Sequence, residues 1–308
     1  MSQPHLPYRP LAFREKVRIV APSAPFDKTL FNAGITFLKL NKIHPVYDAA
    51  IFARKGYLAG GGEQRAAQLL AAFSDSEVKA VWTARGGYGA LHILPFLEQH
   101  VDILKKSFKP FIGFSDATVL HSFFVERCEW ATIHAPNITT IAETDRRSQN
   151  HLIRLLQGEK SALQISDRHI QTIQQGVTRG IVKGGNLTSL VSLLGTPWEP
   201  CFDDCILLIE EVNEVPYRVD RLVTQLRLAG KFAKVRGLII GECSYREHHQ
   251  PVEKQVDPYL IVEQSGVGKG IPVMAGFPVG HGARNMALIL GARALMDAEA
   301  RVLSYTGS

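Results

Sequence analysis

The sequence predicts an α/β fold: a doubly wound parallel sheet followed by a second β/α unit. Three observations carry that expectation. From Val17 to His134, short apolar runs alternate with longer stretches of helical periodicity, the pattern of a parallel sheet with crossover helices. A polar stretch, Thr144 to Gln174, rich in Arg, Gln, Ser and Asp and with one short helical pattern near Asn150 to Gln157, interrupts the alternation. From Val177 the alternation resumes. The expected organisation is an N-terminal domain over 1–145, a linker over 146–176 and a C-terminal domain over 177–308.

Taken in order, Val17 to Ala21 reads as a buried strand ending in Pro22-Ser23-Ala24-Pro25. Lys28 to Leu40 carries apolar residues at helical spacing. A second strand is expected around Ile43 to Tyr47. Gly60-Gly61-Gly62 is a loop before an Ala-rich helix from Glu63 to Phe73. Val78 to Thr83 is the next strand, and it runs into Arg85-Gly86-Gly87-Tyr88-Gly89. Lys109 to Thr118 then reads as a short strand, a turn at Gly113 to Asp116, and a helix to about Arg127. Ala131 to His134 closes the first set. In the second, Thr178 to Val182 is a strand, Gly184-Gly185-Asn186 opens a helix, and Cys205 to Ile209 is a fully apolar strand ending at Glu210-Glu211. Val219 to Leu228 is an amphipathic helix, and Val235 to Ile240 a strand. Asp257 to Gln264 is helical, and Pro272 to Ala275 is a strand leading into Gly276 to Gly282. Ala287 to Leu303 reads as hairpin strands.

Composition narrows the function. Of 308 residues, 45% are hydrophobic and 21% charged, ordinary for a globular enzyme. No run of about 18 apolar residues suggests a membrane span, and Met1 to Arg14 lacks the apolar core of a secretory signal. Cys201 and Cys205 lack a second Cys/His pair at zinc-site spacing, so the four cysteines read as free thiols in a reducing compartment. The net charge of +6 is scattered rather than clustered. That favours an anionic small substrate over a nucleic-acid groove. No metal and no cofactor is expected.

Ser115 marks the chemistry. A serine at the apex of a strand-turn-helix has its Oγ lifted clear of the sheet, with small neighbours where the chain bends; here they are Gly113 and Ala117. A turn with an N-cap, with Asp116 as the cap, would leave the same trace. An acyl-transfer site also needs a base and a group that orients it. Glu210 ends an apolar strand, and His281 lies between Gly280 and Gly282 after another. Glu211 is the alternative to Glu210. The Arg85 to Gly89 loop fits the second half of an oxyanion hole, where aimed backbone donors contribute about 3 to 4 kcal/mol. It matches neither phosphate-loop spacing.

Together these stretches resemble the LD-carboxypeptidase family, serine peptidases that include muramoyltetrapeptide carboxypeptidases and microcin self-immunity proteins. The resemblance spans nearly the whole chain. Its markers are Val20-Ala21-Pro22-Ser23, Glu63-Gln64-Arg65-Ala66, Ala84 to Gly89, Gly113-Phe114-Ser115-Asp116, Lys183 to Leu187, Leu208 to Glu211 and Gly276 to His281. It implies a Rossmann-like N-terminal domain and a C-terminal swivelling β/α domain, usually in a homodimer. It implies Ser115 as nucleophile, His281 as base, Glu210 as its orienter, and oxyanion donors from the Asp116 and Gly87 backbones. The implied reaction is release of terminal D-alanine from a murein tetrapeptide in the cytoplasm, during peptidoglycan recycling. Arg85, Gly86 and Arg218 are the expected substrate contacts. Two alternatives stand beside it: hydrolysis of an aminoacyl-adenylate antibiotic, and non-catalytic binding of muropeptides. The chain departs from the family pattern at His134-Ala135-Pro136, where His-Gly-Pro is common, and at Glu211, where Asp is common.

Overall fold

The computed structural model describes residues 9–246 and 253–306 and divides into two compact units. Of the described residues, one unit holds 9–159 together with Met286–Ile289. The other holds Lys160–Asn285 and the segment from Leu290 onward. No helix among the described residues is long and apolar enough to cross a membrane.

The first unit is built on β1 (Lys16–Val20), β2 (His44–Val46), β3 (Val78–Thr83), β4 (Phe111–Gly113) and β5 (Thr132–His134). Every pairing among them is parallel, in the order β5-β4-β3-β1-β2. Ile19, Ala80, Val81, Trp82, Phe111 and Ile112 are fully buried, as strands covered on both faces must be. The helix Lys28–Leu40 starts on Asp27, whose carboxylate accepts from the N–H groups of Thr29 and Leu30, and it buries Phe31, Gly34, Ile35 and Leu38. The strand order reverses direction between β1 and β3, and the crevice at such a switch point is where sheets of this kind hold ligands. The loops after β1, β3 and β4 are Pro22–Pro25, Arg85–Gly89 and the Ser115 turn.

Two expectations differ here. The polar stretch 146–176 is no linker. It carries the helix Arg146–Leu156, capped by Asp145 on Ser148 N, with Ser148, His151, Leu152, Leu155 and Leu156 buried. Two short strands follow, β6 (Gln164–Ser166) and β7 (Gln171–Gln174). A narrow stripe at helical spacing suffices to bury such a helix, although its overall composition is polar. His151 Nε2–H donates to the Ala287 carbonyl, 3.1 Å away, and burial pushes its pKa down to about 4. The second difference is Leu288–Leu290. This run belongs to no hairpin; it is a sixth strand beside β5 in the first sheet. Its residues are all buried, and consecutive apolar side chains suit a strand covered on both faces rather than an alternating one. Only Arg293–Asp297 and Val302–Tyr305 form the expected hairpin.

Among the described residues the second unit has a nine-stranded sheet. Its parallel centre is β8 (Val177–Asn186), β9 (Cys205–Val212), β10 (Gly237–Arg246) and β12 (Val273–Ala275), with β11 (Glu253–Gln255) antiparallel to β10. The terminal hairpin, β6 and β7 flank it in antiparallel pairings. Alternation along β9 separates its side chains. Leu207 and Ile209 join the core formed with Leu187, Leu190, Val219, Val223 and Leu226. Leu208 and Glu210 point to the other face. The Gly184-Gly185-Asn186 segment ends β8 and opens the expected helix: Asn186 caps Leu187–Ser192, its Oδ1 accepting from Ser189 N at 3.1 Å.

Candidate active site

Ser115 stands at the turn after β4 with φ +65°, in the left-handed region. A residue with a Cβ pays about 1–2 kcal/mol there, and such strain persists only where the surroundings enforce it. Here three devices do so. Asn137 Oδ1 accepts from the Thr83 hydroxyl and from Phe114 N, at 3.4 Å, the residue before the serine. The Gly113 carbonyl accepts from Ala135 N at 2.9 Å and from His121 Nε2 at 2.9 Å. Burial pushes His121 down to about 4, so it is neutral and Nε2–H donates. Gly113 itself tolerates no side chain, because a Cβ would fall on the Thr83 hydroxyl. Ala135, at the family's common glycine position, braces the turn through its backbone alone.

The glycine loop after β3 lies directly against the serine. A Cβ on Gly86 would sit 2.7 Å from Ser115 Cβ and 2.9 Å from its Oγ. Gly87 has φ +101° and packs on Ala24. The side chain of Asp116 is no helix cap. It is 6% exposed and accepts from Ala90 N at 2.8 Å, which ties the serine turn to the end of the glycine loop. Burial pushes the Asp116 carboxyl above the usual carboxylate range, opposed by the Ser23 side chain, Ala90 and Gly89 N–H groups and the Arg65 charge. Arg65, also buried, donates to the carbonyls of Gly89 at 2.8 Å, Gly60 at 3.3 Å and Pro22. Arg65 and Asn137 were invisible as site residues in the sequence. The only trace of Arg65 was its place in Glu63-Gln64-Arg65-Ala66, one of the segments that carry the family resemblance.

Gly86→Ala is expected to lower kcat by about 10²–10³-fold, the scale of losing an oxyanion donor, and to cost about 1–3 kcal/mol of stability through overpacking. Steady-state kinetics with thermal melting checks it. Unchanged turnover would separate this loop from the chemistry.

In the second unit, His281 Nδ1 hydrogen-bonds Glu210 Oε2 at 2.8 Å. Glu210 is fully buried, two residues inside the end of β9 rather than at it, and the His281 side chain is 18% exposed. Burial alone would keep His281 neutral; the Glu210 carboxylate, aided by Glu211 and Glu242, holds its pKa above the usual imidazole value. Glu210 Oε1 has no hydrogen-bond partner among the described residues. Glu211, the alternative, faces the opposite side of the sheet. It accepts from Asn186 Nδ2, Val212 N, Thr188 N and Thr188 Oγ1 at 2.7–2.9 Å. All its acceptor positions are used in anchoring the start of the helix Leu187–Ser192, so Glu210 is the partner of the histidine and Glu211 is architectural. The longer Glu in place of Asp serves that anchor.

The His281 loop is held by Glu242, another residue with no sequence signal. Its Oε2 accepts from Gly282 N at 2.8 Å, and its own N–H donates to Val279 O at 2.8 Å. Gly280 (φ +145°) passes so close that a Cβ would meet Glu242 Cβ at 2.7 Å. Of the expected substrate contacts, Gly86 is against Ser115, and Arg85 is exposed and donates to Pro25 O at 2.7 Å. Arg218 pairs with Glu214 at 3.3 Å and lies over Tyr217. Thus Ser115, Asp116, Gly86 and Gly87 converge in one unit, and Glu210 with His281 in the other.

Comparison with known proteins follows the same division. The family model for the LD-carboxypeptidase N-terminal domain matches residues 17–135, and that for the C-terminal domain matches 179–296. The murein tetrapeptide carboxypeptidase of Pseudomonas aeruginosa is 30% identical over 298 residues, spanning 92% of this chain and 93% of that protein. The microcin C7 self-immunity protein MccF of Escherichia coli is 25% identical, spanning 96% and 94%. The crystal structure of muramoyltetrapeptide carboxypeptidase from Oxalobacter formigenes matches with a TM-score of 0.80 at 26% identity, over 95% of this chain and 99% of that one. The wild-type MccF structure matches in fold, with a TM-score of 0.87 at 23% identity over 99% of both chains.

Proposed function

The chain belongs to the LD-carboxypeptidase family and is an enzyme of the carboxypeptidase class; from that premise we propose that it removes the terminal D-alanine of a murein tetrapeptide by acyl transfer through Ser115. The observation that carries the reading is the buried Glu210–His281 hydrogen bond. It occupies Nδ1 and so leaves Nε2 as the basic nitrogen. His281 takes the Ser115 proton as Oγ attacks the scissile carbonyl. The oxyanion is met by the N–H groups of Asp116 and Gly87. The imidazolium, stabilised by Glu210, then protonates the leaving amine, and water resolves the acyl-enzyme. The reaction requires Ser115 of one unit within proton-transfer reach of His281 of the other, and that convergence is part of the proposal. So are action in the cytoplasm and a homodimeric state.

Incubation with a diaminopimelate-containing tetrapeptide, followed by mass spectrometry, tests it. Tripeptide and free D-alanine are expected. The similarity to MccF across nearly the whole chain supports one second reading, hydrolysis of an aminoacyl-adenylate compound. An aminoacyl-adenylate analogue in a parallel reaction distinguishes them. Both substrates surviving, with Ser115 unlabelled by a fluorophosphonate, would leave a binding role instead.

A further inference from the structure

The second unit contains a cavity of about 690 Å³ whose wall includes Gly276 to Pro278 and Gly282 of the His281 loop. That volume suits an amino-acid-sized group rather than a single ion. Its apolar wall is Ile240, Val256 and Phe277, and its polar wall carries Arg168, His169, Glu242, Gln255, Arg284 and Arg301.

The charges of that wall are unevenly matched. His169 and Arg284 share Asp167, at 2.7 and 3.5 Å. Glu242 is engaged by Gly282 N and by Gln255 Nε2 at 3.3 Å. Arg168 and Arg301 have no acidic partner among the described residues. Arg301 stands at the turn of the terminal hairpin with φ +58°, a backbone conformation that favours glycine or asparagine over arginine. The cavity is also built closely. Gly276 has φ +63°, and a Cβ there would lie 2.6 Å from the His169 carbonyl. A shaped cavity with two unmatched guanidiniums is suited to a carboxylate, which the planar fork binds in bidentate fashion.

We propose that this cavity is a carboxylate subsite of the peptide, with Arg168 and Arg301 as its cationic contacts in place of Arg85 and Arg218. The inference rests on the peptidase reading. The cavity wall continues into the loop carrying His281, and a general acid that protonates the leaving amine has the departing residue beside it. The carboxylate is therefore that of the departing D-residue, or that of the residue next to it.

The test is calorimetric binding to full-length protein in a Ser115→Ala background, independent of turnover. The ligands are the tetrapeptide, its terminal carboxamide and its diaminopimelate carboxamide. One of the two carboxamides is expected to bind at least about 10-fold more weakly than the free acid, and which one identifies the carboxylate. Arg168→Gln with Arg301→Gln is expected to abolish that preference while leaving the weaker carboxamide's affinity within about 2-fold. Arg168→Gln alone should reduce the preference, and Arg168→Lys should restore part of it. An undiminished preference in the double variant, equal binding of all three ligands to the parent, or no binding to the parent overturns the subsite. Release of D-alanine by the Ser115 enzyme is scored separately. Turnover without the charge preference fails the subsite alone, and the preference without turnover fails the hydrolytic reading alone.

Discussion

Ser115→Ala is expected to reduce kcat/KM for tetrapeptide cleavage by at least about 10³-fold, and by as much as about 10⁶-fold if the nucleophile, base and orienting acid act as a unit. A loss of 10⁶ corresponds to about 8 kcal/mol of transition-state stabilisation. The same position makes an independent structural prediction. The left-handed φ of Ser115 strains any residue with a Cβ. Ser115→Ala keeps that strain and should melt within about 0.5 kcal/mol of wild type. Ser115→Gly relieves it, offset by the greater chain entropy of glycine when unfolded, and should be about 1 kcal/mol more stable than the alanine variant. Both should be inactive. Kinetics and thermal melting of the two variants separate the chemical role from the conformational one. Activity of Ser115→Ala within 10-fold of wild type would end its assignment as nucleophile.

Glu210→Gln is expected to lower kcat by about 10⁴-fold, because an amide neither selects the correct imidazole tautomer nor stabilises the imidazolium. Its pH profile is the sharper readout. His281 must be neutral to accept a proton, so the rate on the acidic side rises with pH through its pKa, which lies above the usual 6.5. Removing the Glu210 charge leaves burial less opposed, so that limb should move to lower pH while the plateau falls. Stability should not fall with activity. The buried Glu210 side chain has one oxygen, Oε1, with no hydrogen-bond partner among the described residues, and a neutral side chain there avoids the cost of burying charge. A variant as active as wild type, or one whose acidic limb moves upward, would remove Glu210 from the role.

Helix and strand identities were legible where the cause is local. Val78 to Thr83 is an apolar run bounded by turn residues, and it is a strand with those same limits. The Gly113, Ser115 and Ala117 spacing announced a constrained turn, and the left-handed serine supplies the conformation that made small neighbours necessary. The sequence also marked Glu210 and His281, whose settings were unusual: a carboxylate at the end of an apolar run, and a histidine between glycines. What it left open was the choice between Glu210 and Glu211. Alternation along a strand sends the two to opposite faces, but which face meets the histidine depends on strands distant in the chain.

By itself, then, the sequence determined the α/β class, the position of the sharp turn and the chemical identity of the groups, since periodicity, backbone constraint and side-chain chemistry are properties of neighbouring residues. Only the tertiary structure decided that Leu288–Leu290 completes the first sheet, that the helix Arg146–Leu156 buries its stripe in a folded unit instead of lying in a linker, that Asp116 and Arg65 clamp the glycine loop, and that Glu242 holds the loop of His281. The physical reason is that each of these is a long-range pairing. A buried polar atom must be satisfied by whatever group the fold brings near it, and sequence spacing carries no record of which group that is.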